Sequence, residues 1–143
     1  MAEPADDITA SVEMFLPLDM QRAFSRDPDL AVMAAALGSF SAAVFHTVVP
    51  MSPSDRLDFC RRVAASSNGD FPAWMVEASL RSIEGDRTAM DGTDPAVTLG
   101  IPIHGLVVLN SDYLTTDAAH ALRGRAEELA QELLPRWQAL PPQ

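Results

Sequence analysis

His104 stands in Ile101-Pro102-Ile103-His104-Gly105, an imidazole inside an apolar run. A buried imidazole needs a hydrogen-bond partner, and Asp112, Tyr113 or a backbone carbonyl could supply one. Fully satisfied, it is a structural histidine. Open to a cavity, His104 and Tyr113 would instead line a pocket for a small hydrophobic ligand. The other candidates for chemistry are weaker. Asp117 and His120 are three residues apart, a spacing that metal sites use, but no second ligand pair such as HExxH or CxxC accompanies them. The stretch 84–94, EGDRTAMDGTD, lacks the alternating acids and closing glutamate of a calcium loop. Neither a metal nor another cofactor is expected.

Cys60, the only cysteine, is followed by Arg61 and Arg62, which would lower a thiol pKa if they faced it. Helical spacing places Cys60 on a stripe with Leu57 and Ala64, so an inert buried thiol is expected. A single cysteine forms no internal disulfide and points to no oxidising compartment. All ten basic residues are arginine, which excludes Schiff-base and P-loop lysine chemistry. No local Ser-His-Asp or Cys-His signature is present either. The chemistry-bearing residues therefore name no reaction, and a non-enzymatic role leads.

What must position these residues is a set of helices. Asp27-Pro28, Ser52-Pro53 and Asp94-Pro95 each pair a capping side chain with a proline that has no amide to lose. Asn68-Gly69 and Gly85 supply stops. These signals outline helices at about 7–16, 28–49, 53–66, 71–84 and 117–134, with Pro135 ending or bending the last. A further turn or short helix spans 19–25. Residues 101–109 have no readable period, so helix is favoured over a lone strand that would lack a partner. The expected fold is an all-α bundle of five or six helices in a single domain, with α+β the alternative if 101–109 is a strand. The ends, 1–6 and 138–143, are expected to be loosely ordered.

Residues 30–50, LAVMAAALGSFSAAVFHTVVP, carry no formal charge. At 100° per residue, Leu30, Met33, Leu37, Phe40, Val44 and Val48 gather on one side as a bulky seam. The other side carries small residues, with Ala35, Gly38, Ser39 and Ala42 leading to His46. The flanking Asp27 and Asp29 do not suit a membrane span, so the segment is expected at the centre of the bundle. The seam should be core. The small side would accept another backbone, either from this chain or from a second subunit.

Glu77 and Arg81, and likewise Asp58 and Arg62, stand four apart in the favourable order. Trp74 borders the polar ridge 77–81–84, and a tryptophan there is a frequent interface anchor. Trp137 raises the same question for the tail.

Twenty acids against ten bases give a formal charge of −10, which repels phosphate backbones and anionic headgroups. Nucleic acid and membrane are not expected as partners. The acidic N-terminus lacks the features of a signal peptide, so the expected location is cytoplasmic. The alanine-rich, lysine-free composition fits a bacterial genome of high GC content. Two functions follow as expectations. The first is a protein-interaction module or homodimer, an adaptor, dedicated chaperone or inhibitor, acting through Ala35, Gly38, Ser39, Ala42, His46 and Trp74. The second is a bundle that binds a small hydrophobic ligand near His104 and Tyr113.

Overall fold

The computed structural model describes residues 4–25, 29–86, 88–92 and 95–138. Among them the regular structure is helical: α1 (Pro4–Phe15), α2 (Met20–Phe24), α3 (Leu30–Ala43), α4 (Pro53–Ser66), α5 (Ala73–Ile83), α6 (Pro95–Val108) and α7 (Thr116–Gln138). The chain is an all-α bundle with α3 at its centre, packed against α7 most extensively and then against α1 and α6. No strand occurs among the described residues, and 101–109 is helical.

The capping chemistry is local and legible. Ser52 Oγ accepts from Asp55 N at 3.2 Å, with Pro53 opening α4. Asp19 caps α2, so the possible turn at 19–25 is a short helix. Three details correct the sequence-based outline. The cap of α3 is Asp29, whose Oδ1 accepts from Val32 N at 2.9 Å; Asp27 and Pro28 lie outside the described residues, as does Asp94. The cap of α7 is Thr115, whose Oγ1 accepts from Ala118 N at 3.1 Å. Finally, α7 runs through Pro135 to Gln138. The carbonyl that Pro135 cannot satisfy belongs to Gln131, an exposed residue where water can replace the lost bond.

Two helices end in π-type turns, Val44–Val48 after α3 and Leu109–Tyr113 after α6. The second is tied down by Asn110. Its Nδ2 donates to Leu106 O at 2.8 Å and Phe15 O at 3.2 Å, and its Oδ1 accepts from Leu18 N at 3.1 Å. Arg123 Nε donates to Leu16 O, so α7 holds the same corner from its other side.

The core is built on Phe15, Phe40, Phe59, Leu80, Ile101, Leu106 and Leu109, all fully buried. Two glycines permit its closest approaches. A Cβ on Gly38 would stand 2.6 Å from Ala126 O and 2.9 Å from Ala130 N, both backbone atoms of α7. A Cβ on Gly105 would meet the ring of Phe40, 2.8 Å from Cδ1 and 3.0 Å from Cζ.

These contacts decide what touches the small side of α3. Ala35, Gly38, Ser39 and Ala42 are buried, and α7 of the same chain occupies the space beside Gly38. Of the two occupants expected for that face, a helix of this chain or a second subunit, α7 of this chain stands beside Gly38. Ser39 Oγ is sealed in with no hydrogen-bond partner among the described residues. The uncharged stretch Leu30–Val48 is long and apolar enough to cross a membrane, and 67% of it is buried within the bundle.

The bulky seam divides. Phe40, Val44 and Val48 are core, whereas Leu30 is 41% exposed and Met33 and Leu37 are only partly buried. The apolar side of α7 is divided in the same way. Ala126 is core, joined by Ala119, Ala130 and Leu134, while Leu122, Leu129 and Leu133 are partly buried.

Candidate functional site

Met33 and Leu37 of α3 and Leu129 and Leu133 of α7 border a cavity of about 890 Å³. From α3 and the π-type turn that follows it come Met33, Leu37, Ser41 and Phe45, a stripe of every fourth residue, with Val32 and Ala36 beside it. At 1.5 Å per residue, Val32 to Phe45 spans about 20 Å. From α7 come Leu129, Glu132, Leu133 and Arg136, the one-face spacing of three, four and seven. Ser79, Ser82 and Ile83 of α5 and Gly100, Pro102 and Ile103 of α6 complete the walls, with Phe15, Ala23 and Met90 at the margins.

The void has a sequence cause. Ala23, Ala36, Ser41, Ser79, Ser82 and Gly100 are small residues from four different helices facing one space. Close packing would need larger side chains there. The walls are predominantly apolar. The polar lining consists of three serines and an acid–base pair, Glu132 and Arg136, four residues apart on the exposed edge of α7. Among the described residues neither Glu132 nor Arg136 takes part in an ion pair within the chain.

The two residues expected to line a pocket are elsewhere. His104 is half-buried on α6, and its Nδ1 lies 3.1 Å from Ser66 Oγ. Ser66 Oγ also donates to Val63 O at 2.7 Å, an arrangement in which its oxygen accepts from Nδ1–H of His104. The edge of the Phe71 ring meets the imidazole at 5.6 Å between centroids. The partner is thus Ser66, not Asp112 or Tyr113. Asp112 instead accepts from Arg62 Nη1 at 3.2 Å.

Tyr113 packs edge-on to Phe59 at 5.6 Å and lies beneath the Arg62 guanidinium at 5.9 Å. Burial pushes its phenol above the usual range, and the nearby Arg62 works against that. Neither residue borders the cavity. Of the two residues adjacent to His104 in sequence, Ile103 borders it, and its side chain leaves the helix on a different side from His104.

Among the interface candidates, His46 is exposed and Trp74 is 64% exposed, while the four α3 residues are interior. The side chain of Trp137 lies outside the described ones. Asp117 and His120 are both exposed.

Cys60 is fully buried, and its Sγ donates to Glu77 Oε2 at 3.6 Å. The same carboxylate accepts from Arg56 Nε at 2.9 Å, and Arg56 also bonds Glu84. Glu77 therefore pairs with Arg56 on α4, not with Arg81 one turn along its own helix. Arg56 is held well above its usual range, first by the hydrogen bond it donates to Glu77 and then by the one it donates to Glu84. The Asp58–Arg62 pair does form, at 2.9 Å.

Burial pushes the Cys60 thiol up to about 12, and the negative charge of Glu77 adds to the effect. The unfolded chain releases this proton near pH 9, so between about 9 and about 12 only the folded state retains it. The unfolded state then binds fewer protons, and stability falls as pH rises through that window. The urea midpoint should decline above pH 9, and Cys60→Ala should remove part of the decline. An equal decline in the variant would show that the thiol is not the titrating group.

Comparison of the chain with protein-family models, with curated proteins and with solved structures returns no match. The function must be argued from the cavity. Its polar members, Ser41, Ser79, Ser82, Glu132 and Arg136, were not singled out by sequence. The available signal was serine at positions where the helix periodicity asks for an apolar residue.

Proposed function

We propose that the chain binds a small hydrophobic molecule in the cavity between α3, α5, α6 and α7. The observation that carries this is the cavity itself: about 890 Å³, elongated along α3, apolar in its walls and polar at a few points. Ligand sites have about this size, roughly 300–1,000 Å³, and this character. Among the described residues its lining includes no histidine and no cysteine, and the role proposed is binding.

The test is titration with the neutral dye N-phenyl-1-naphthylamine, whose emission rises in apolar surroundings. One saturable site per chain is expected. Leu37→Trp places bulk in the cavity without disturbing the α3–α7 contact, and it should weaken dye binding about tenfold or more, since a side chain of that size displaces the ligand itself. Absence of saturable binding, or an unaltered affinity in Leu37→Trp, would sink the proposal.

Trp74, 64% exposed, and Phe45, 47% exposed at the cavity margin, favour a second reading as a protein-interaction module. Its other support, the small face of α3, is used inside the chain. A stoichiometric partner whose binding survives Trp74→Ala would remove Trp74 as its anchor.

A further inference from the structure

Helical serines in this protein have two fates. Ser66 and Ser67 turn their hydroxyls back onto their own helix, donating to Val63 O and Ala64 O at 2.7 Å each. Ser41 and Ser79 do not. They are 8% and 6% exposed, they line the cavity, and among the described residues no hydrogen bond engages either hydroxyl. They come from different helices, α3 and α5, yet border the same space. Ser39 is also unpartnered, but it does not line the cavity, so no ligand can reach it. Facing the cavity without a protein partner, these two hydroxyls are left to solvent, and a molecule that fills the space must supply the bond that water would make.

We infer that the preferred occupant of the cavity carries one neutral hydrogen-bonding oxygen, an alcohol or a carbonyl, held by Ser41 and Ser79, with an apolar body lying along α3. This rests on the cavity being a ligand site. Electrostatics favour a neutral group over a carboxylate. Serine hydroxyls offer dipoles and no charge. The charges in the lining, Glu132 and Arg136, are opposite in sign, exposed and four residues apart on one helix, so their fields largely cancel. The chain as a whole, at −10, repels anions. The apolar body is set by the stripe Met33, Leu37 and Phe45, which gives a long, narrow surface in place of a compact one.

The experiment is competition against bound N-phenyl-1-naphthylamine by two probes of equal chain length, 1-decanol and decanoate at neutral pH. Both are run on the wild type and on Ser41→Ala/Ser79→Ala, whose folding is checked by circular dichroism. In the wild type, decanol should displace the dye about tenfold more tightly than decanoate. The double variant, with its own dye affinity measured and used to convert the competition, should bind decanol about tenfold more weakly, as expected for the loss of hydrogen bonds to one head group.

Decanoate matching or exceeding decanol would overturn the inference, as would undiminished decanol binding in the double variant. In both cases dye binding survives and the cavity remains a ligand site. Failure of the dye to bind the wild type would sink the site and the inference together.

Discussion

Gly38→Ala should destabilise the fold by about 2–4 kcal/mol, the range in which forced overpacking and lost core contacts fall. In isolation the substitution would favour a helix by about 1 kcal/mol, because alanine is the better helix former. The contact reverses that sign. The added Cβ would meet Ala126 O at 2.6 Å and Ala130 N at 2.9 Å, and neither atom belongs to a side chain that can rotate away. Relief requires α3 and α7 to separate along the most extensive interface in the molecule. Such a gap forfeits dispersion contacts along its whole length. Chemical denaturation followed by circular dichroism measures the difference. A neutral or stabilising Gly38→Ala would mean that α7 does not lie against α3 at this point. Gly38→Leu should prevent cooperative folding altogether.

The second large effect lies across the core. Gly105→Ala should cost about 2 kcal/mol, because its Cβ would press into the fully buried ring of Phe40. Here the obstacle is a side chain, so the strain can be relieved by a second substitution. Phe40→Leu alone should cost about 1–2 kcal/mol for its lost ring volume. With Gly105→Ala the two should be less damaging than their sum by at least about 1 kcal/mol, since the smaller side chain accepts the new methyl. Strict additivity in that double-mutant cycle would show that Phe40 and residue 105 do not touch.

Much of the fold could be read from local chemistry. Ser52-Pro53, Asp19 and the stops at Asn68-Gly69 and Gly85 act within a turn of their own position, and the structure has helix boundaries there. The two faces of α3 were also visible, since a helix has one period and its side chains must follow it. What the period does not reveal is which neighbour each face meets. Bulk at Met33 and Leu37 reads as core, yet these residues border a void because the helices opposite present Ser79, Ser82 and Gly100. The small face, read as accepting a backbone from this chain or from a second subunit, meets the backbone of α7 at Gly38.

The polar pairings diverge for the same reason. Glu77 has Arg81 four residues on, but Arg56 approaches from α4 with two carboxylates to bridge, Glu77 and Glu84. His104 was recognisable as a residue needing a partner. Its partner, Ser66, is 38 positions away and carries no sequence mark that links the two. The cavity itself was illegible. It arises from small residues on separate helices, and each of them alone is unremarkable.

The two flanks of α3 place opposite demands on inheritance. Beside Gly38 the neighbouring backbone fixes the residue, and a lineage that changes it loses the fold. Beside Met33, Leu37 and Phe45 there is empty volume, and a change of size there alters the shape of the void while the helices stay in place. Descendants of this chain can therefore diverge in what they hold without risking how they fold. The fastest substitutions in α3 should fall on the side of bulky residues, and the slowest on the side of alanine and glycine.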